Sequence, residues 1–183
     1  MNTREKIIVS GDNLIRKRGF NAFSFSDISK ELEIKNASIH YHFPSKTSLL
    51  MAIIQKHLLL LEKFKRHVAD ENSTSKMVKF LSVYALAKSG GRISILGSLA
   101  NDYLTFGLEV QTELKLLTDN TLNWLIGTLK EGKKEGLFQY KLDDRTQALT
   151  IITKILGAEQ LSRITFPHDF QEIKENIIQE LMA

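Results

Sequence analysis

Cysteine is absent from this chain of 183 residues, which excludes disulfide frameworks, thiolate metal sites and cysteine nucleophiles together. Proline is nearly absent, with two residues. Sparse proline and the lack of sustained strand-type alternation predict an almost wholly helical chain. The one alternating patch, Phe23-Ser24-Phe25-Ser26, is too short to build a sheet. Long apolar runs are missing as well. Residues 49–61 are interrupted by Gln55, Lys56 and His57, too polar and too short to cross a bilayer. The first turns carry Arg4, Glu5, Lys6 and Asp12 in place of an apolar secretory core, so a cytoplasmic setting with no membrane partner is expected. The five histidines are scattered, and neither a His-Glu metal spacing nor a phosphate loop occurs. These absences argue against an enzyme, a metal site or a cofactor.

What is present is ordinary globular composition, 43% hydrophobic and 25% charged, with an uneven spread of charge. Residues 1–47 hold Arg4, Lys6, Arg16, Lys17, Arg18, Lys30, Lys35 and Lys46 against Glu5, Asp12, Asp27, Glu31 and Glu33. Three of the four net positive charges therefore sit in the first quarter of the chain, the distribution expected of a segment that meets a polyanion.

Helical periodicity and punctuation predict nine helices. The first covers residues 3–18 and stops at Gly19 after three basic residues. A short one follows over residues 26–33, capped by the Ser26 hydroxyl. A tight turn at Ile34-Lys35-Asn36 leads into residues 37–42, Pro44 stops that helix, and Ser45 caps a long helix over residues 46–68. Residues 76–88, a stretch from Ile93 that ends before Gly107, residues 110–134, residues 144–163 and a last helix from Phe170 complete the set. The expected architecture is all-α: an amino-terminal three-helix unit (1–46) and a six-helix bundle (47–183).

Residues 25–43 have the layout of a helix-turn-helix. Ile28, Leu32, Ile34, Ile39 and Phe43 supply the inward side, leaving Lys35, Asn36, Ser38, His40, Tyr41 and His42 outward. A helix that enters the major groove needs short polar side chains for base edges, and cationic or hydroxyl groups for phosphates. No carboxylate interrupts that face. The series Gly19-Phe20, Ser24-Phe25-Ser26-Asp27-Ile28 and Ile34-Lys35-Asn36-Ala37-Ser38-Ile39-His40-Tyr41-His42-Phe43-Pro44-Ser45-Lys46 resembles the amino-terminal signature of the tetracycline-repressor (TetR, AcrR-type) family. The resemblance covers about the first fifty residues. It implies a dimeric regulator of transcription that binds double-stranded DNA, most often a repressor released by a small molecule.

Carried over by position, Lys35, Asn36, Ser38 and His40 fall where the family reads bases or adjacent backbone, with Ala37 at the helix start. Tyr41, His42 and Lys46 fall where it holds phosphates, and Ser26 caps its helix while lying close enough to touch one. His40 departs from the family's usual tyrosine, which removes any inherited base preference. Gly11 stands where alanine is usual, at a cost of roughly 1 kcal/mol of helix stability.

In the second bundle, Phe64, Phe80, Tyr84, Asn101, Tyr103, Phe106, Trp124 and Glu159 are the expected lining of an effector cavity, which the resemblance places among these helices. An apolar or aromatic effector is expected from that lining. The helix over residues 144–163 carries apolar residues in nearly every sector, so it is expected to be buried on more than one side, the second partner being the twin subunit. A homodimer through residues 110–134 and 144–163 is expected, the alternative being a monomeric bundle with this helix at its centre. An effector-insensitive regulator or an activator would use the same DNA contacts.

Overall fold

A computed structural model describes residues 1–87, 90–166 and 168–182; among them there are nine α-helices and no strand. The helices are α1 (Thr3–Arg18), α2 (Phe25–Leu32), α3 (Asn36–His42), α4 (Lys46–His67), α5 (Ser73–Ala87), α6 (Ile95–Leu99), α7 (Leu108–Lys134), α8 (Asp144–Leu161) and α9 (Asp169–Met182). None is long and apolar enough to cross a membrane. The chain forms two compact units, Met1–Leu60 with Ile95–Leu117, and Leu61–Ser94 with Thr118–Ala183.

In the first unit, α1 starts with a reciprocal cap. The Asn2 side chain accepts from the Glu5 N–H at 2.9 Å, and the Glu5 carboxylate accepts from the Asn2 N–H at 3.0 Å. Two N–H groups that lack helical partners are thereby satisfied. Gly19 ends the helix at φ 91°, a conformation that glycine enters without strain, and its N–H reaches the Ile15 carbonyl. Gly11 lies where α1 meets α4: a Cβ there would stand 3.0 Å from Leu49 and 3.2 Å from Ile53. Close approach of the two helices thus offsets the poor helix propensity of glycine. Ile7, Ile15, Ile28, Ile39, Leu49, Ile53 and Leu99 fill the core.

One helix cap and one helix length differ from the sequence reading here. Ser24, not Ser26, is the N-cap of α2, and the Asp27 carboxylate accepts from the Ser24 N–H at 2.7 Å and its hydroxyl at 2.8 Å. The reason is spacing: Ser24 has an acidic residue three positions on, whereas Ser26 has Ser29. Ser45 caps α4 as expected, its hydroxyl accepting from the Ser48 N–H at 3.0 Å. The helix expected from Ile93 to before Gly107 is reduced to α6 followed by a 3₁₀ turn, Tyr103–Thr105. Asn101 and Asp102 interrupt it, and Asp102 offers its carbonyl to the Thr105 N–H and hydroxyl.

The second unit packs α5, α8 and α9 together around Phe80, Leu125, Leu129, Phe138, Ile151, Ile155, Phe170 and Leu181. α5 starts at Ser73, earlier than expected, because the Asn72 side chain caps it by accepting from the Ser75 N–H. Its expected end at Lys88 lies outside the described residues. A Cβ on Gly132 would stand 2.0 Å from the Phe138 ring, so glycine is the only residue that lets this ring seat against α7. α8 buries one face through Ala148, Ile151, Ile152, Ile155, Ala158 and Glu159, and leaves Leu149, Thr153, Gly157 and Gln160 exposed on the other. Its second side is open in the single chain.

Candidate nucleic-acid interface

The helix-turn-helix is built from α2 and α3. Glu33 ends α2 in the left-handed region at φ 55°, and the Glu33 and Ile34 N–H groups both turn back onto the α2 carbonyl of Ser29. This compact turn brings Ile39 inward, where it is fully buried beside α1 and α2. Burying such a side chain is worth about 1.5–3 kcal/mol, enough to fix which face of so short a helix points out. With Ile39 inward, Lys35, Asn36, Ala37, His40 and Tyr41 are exposed, while Ser38 and His42 are half-buried. Tyr41 is 85% exposed, its ring meeting the His42 ring edge-on, 5.1 Å away. The His40 ring leans edge-on against Phe25 at 5.0 Å, which aims the imidazole along the α2 start. Ser26 is half-buried, and its carbonyl accepts from the Ser29 hydroxyl.

Lys46 is placed differently from the other expected phosphate contacts. Its ammonium lies over two rings, 4.5 Å from Phe20 and 4.2 Å from Phe23, and donates to the Phe23 carbonyl at 2.5 Å. Burial pulls its pKa below the ordinary lysine value, opposed by the charges of Asp27 and Asp102. Nearby, the Ser24 hydrogen bonds hold the Asp27 carboxyl below the usual carboxylate range, with a smaller effect from Arg18, 3.8 Å away. The sequence reading missed three contacts: Lys46 on Phe20 and Phe23, Phe25 on His40, and the Arg4 guanidinium 5.1 Å from the Phe43 ring. Aromatic residues flanking the basic positions were their only signal in the sequence.

Of the expected effector residues, Phe64, Phe80, Tyr84 and Trp124 come together in the second unit. Ring centroids are 5.2 Å apart for Phe64–Trp124, Phe80–Trp124 and Phe80–Tyr84. Glu159 is fully buried in the same unit, accepting from the Ser94 N–H at 2.8 Å and the Ser94 hydroxyl at 2.6 Å. Burial first, and the Glu159 charge second, push the Tyr84 phenol well above its ordinary pKa and keep it protonated. Asn101, Tyr103 and Phe106 belong to the first unit, where the Phe106 ring meets Phe20 edge-on at 5.3 Å.

A short helix with one buried anchor, a glutamate-closed turn and an outward face of amide, imidazole, phenol and ammonium groups defines a helix-turn-helix DNA-binding protein. The family described as bacterial regulatory proteins, tetR family, matches residues 7–53. A TetR transcriptional regulator from Legionella pneumophila is 30% identical, with 99% of this chain and 98% of that chain covered and a TM-score of 0.88. The HTH-type transcriptional repressor KstR2 of Rhodococcus jostii (strain RHA1) is 28% identical over 149 residues, 76% of this chain and 70% of that protein. Two further curated relatives are matched over only 32% and 28% of their own length. AibR, solved in complex with isovaleryl coenzyme A and operator DNA, shares the fold at 18% identity and a TM-score of 0.75, covering 99% of this chain and 98% of its own. The chain belongs to the TetR family of DNA-binding transcriptional regulators.

Proposed function

We propose that the chain is a repressor that binds a palindromic operator as a homodimer and releases it on binding a small, largely apolar effector. In this reading residues 1–46 read DNA, and residues 47–183 dimerise and hold the effector. The observation that carries it is α3: Ile39 buried, with Asn36, His40 and Tyr41 exposed on one outward face. Asn36 has the bidentate amide that suits adenine, and Lys35, Tyr41 and His42 suit phosphate oxygens.

Homodimerisation is supported by the open side of α8. Leu149, Thr153 and Gly157 are exposed there, nothing lies within 4 Å of a Cβ built on Gly157, and Leu161, Ile164 and Phe166 follow, exposed. Small and apolar residues at helical spacing suit a twofold helix contact, where the same patch must meet itself; residues 110–134 are proposed to contribute to it. The Phe64, Phe80, Tyr84 and Trp124 cluster, with neutral Tyr84 as its polar group, supports an apolar effector. AibR, which shares the fold, was solved in complex with isovaleryl coenzyme A and operator DNA, a precedent within the fold for binding both classes of partner.

The experiment is a fluorescence titration of duplex DNA against salt. Lys35→Ala should flatten the slope of log affinity against log salt by about 0.9, one phosphate contact. Asn36→Ala should leave that slope alone and reduce discrimination at one base pair by about 1–3 kcal/mol. Wild-type behaviour in both variants would remove α3 from the interface.

A further inference from the structure

The resemblance implies a phosphate contact at Lys46; in the structure its ammonium is already engaged. Three observations converge on it. The charge is sandwiched against Phe20 and Phe23, and one of its three N–H donors is on the Phe23 carbonyl. Phe20 is itself braced from behind by Phe106, at 5.3 Å and 83° between ring planes. Phe106 is tied in turn to the start of α7, because its carbonyl accepts from the Gln111 side chain at 2.8 Å. Lys46 is the first residue of α4, and Phe23 directly precedes the Ser24 cap of α2. The lysine therefore fastens the start of α4 to the loop that launches α2, and so sets the angle at which α3 is presented.

We infer that Lys46 is a positioning residue of the DNA-binding unit, held between Phe20 and Phe23 with Phe106 as the wall behind them, and is not a phosphate ligand. Reaching out to a phosphate would strip the ammonium of both rings and of its carbonyl acceptor. A positioning role has a signature of its own. A lost phosphate contact weakens binding to every sequence alike and lowers the salt slope. A misplaced α3 loses base readout, while the backbone contacts that carry non-specific binding persist.

The inference rests on the DNA-binding reading, and the unsubstituted chain tests that reading separately by binding a duplex at all. The full-length chain is titrated against two labelled duplexes, the site it enriches from a random pool and a scrambled sequence, over a series of salt concentrations. Lys46→Gln and Phe20→Leu are each expected to weaken the selected site about tenfold, the scale of a desolvated cation on aromatic rings. Binding to the scrambled duplex should stay within about twofold, with the salt slope unchanged. Lys46→Arg, whose guanidinium also stacks on rings, should restore the selected site. Phe20→Leu keeps the lysine charge and is a mild substitution, so it decides the matter even if Lys46→Gln folds poorly. Equal losses on both duplexes, a slope smaller by about 0.9 in Lys46→Gln, or unaltered specific binding in Phe20→Leu would each overturn the inference.

Discussion

α3 and α8 both bury one side and leave the other in solvent, yet their open sides are opposites. That of α3 carries an amide, an imidazole and a phenol on seven residues, with one buried isoleucine beneath. That of α8 carries leucine, threonine and glycine, leading to exposed Leu161, Ile164 and Phe166. Charge and hydrogen-bonding groups suit a hydrated polyanion whose counterions are released on contact; small and apolar groups suit another protein surface. The contrast lies in side-chain chemistry alone: one open face is polar, the other small and apolar.

The largest effect expected from breaking that contrast is at α8. Gly157→Arg places a charged side chain on the open side of α8, where nothing in the single chain resists it. The expected outcome is a folded monomer by analytical ultracentrifugation, with operator affinity reduced by about 100-fold or more because the second half-site no longer binds intramolecularly. Within α3 the two sides should respond to different measurements. Ile39→Ala should lower unfolding free energy by about 3 kcal/mol, the usual cost of truncating a buried isoleucine. Truncating Asn36, on the outward face of the same helix, should leave the melting temperature unmoved.

A smaller effect concerns the frame that carries α3. Burial alone would push the Asp12 pKa up, but the His57 hydrogen bond at 2.7 Å and the charges of His57, Arg16 and Lys56 outweigh it and hold the carboxyl below 3.8. A group whose pKa is depressed by folding adds stability above its unfolded value, and that stability is lost as pH falls through the folded value. Melting curves should therefore show a loss of stability below pH 3.8, and Asp12→Asn should shrink that acid dependence. The smallest effect is expected at the turn. Glu33 adopts φ 55° without being glycine, and Glu33→Gly should raise stability by about 1 kcal/mol in urea unfolding, through relief of the left-handed strain.

Local chemistry made much of this legible in the sequence. The extent of α1, the stop at Gly19, the Ser45 cap and the buried Ile39 all follow from residues within a few positions of one another. Errors arose where two local signals competed or where the partner was distant. Ser26 is expected to cap α2, but the acid three residues on belongs to Ser24, and that pairing decides the cap. The Asn101-Asp102 break was overridden by apolar spacing, so α6 was read too long. Lys46 is placed at a phosphate position by resemblance alone, and nothing in its neighbourhood announces that its ammonium lies over Phe20 and Phe23, with Phe106 reaching Phe20 from more than eighty positions away.

Selection of duplexes from a random pool by the full-length chain tests the central claim most directly. A palindromic consensus is expected, its half-sites about one helical turn apart, roughly 34–36 Å centre to centre, with an adenine preference that weakens in Asn36→Ala. Enrichment of a single unrepeated half-site, or of no sequence at all, would contradict it.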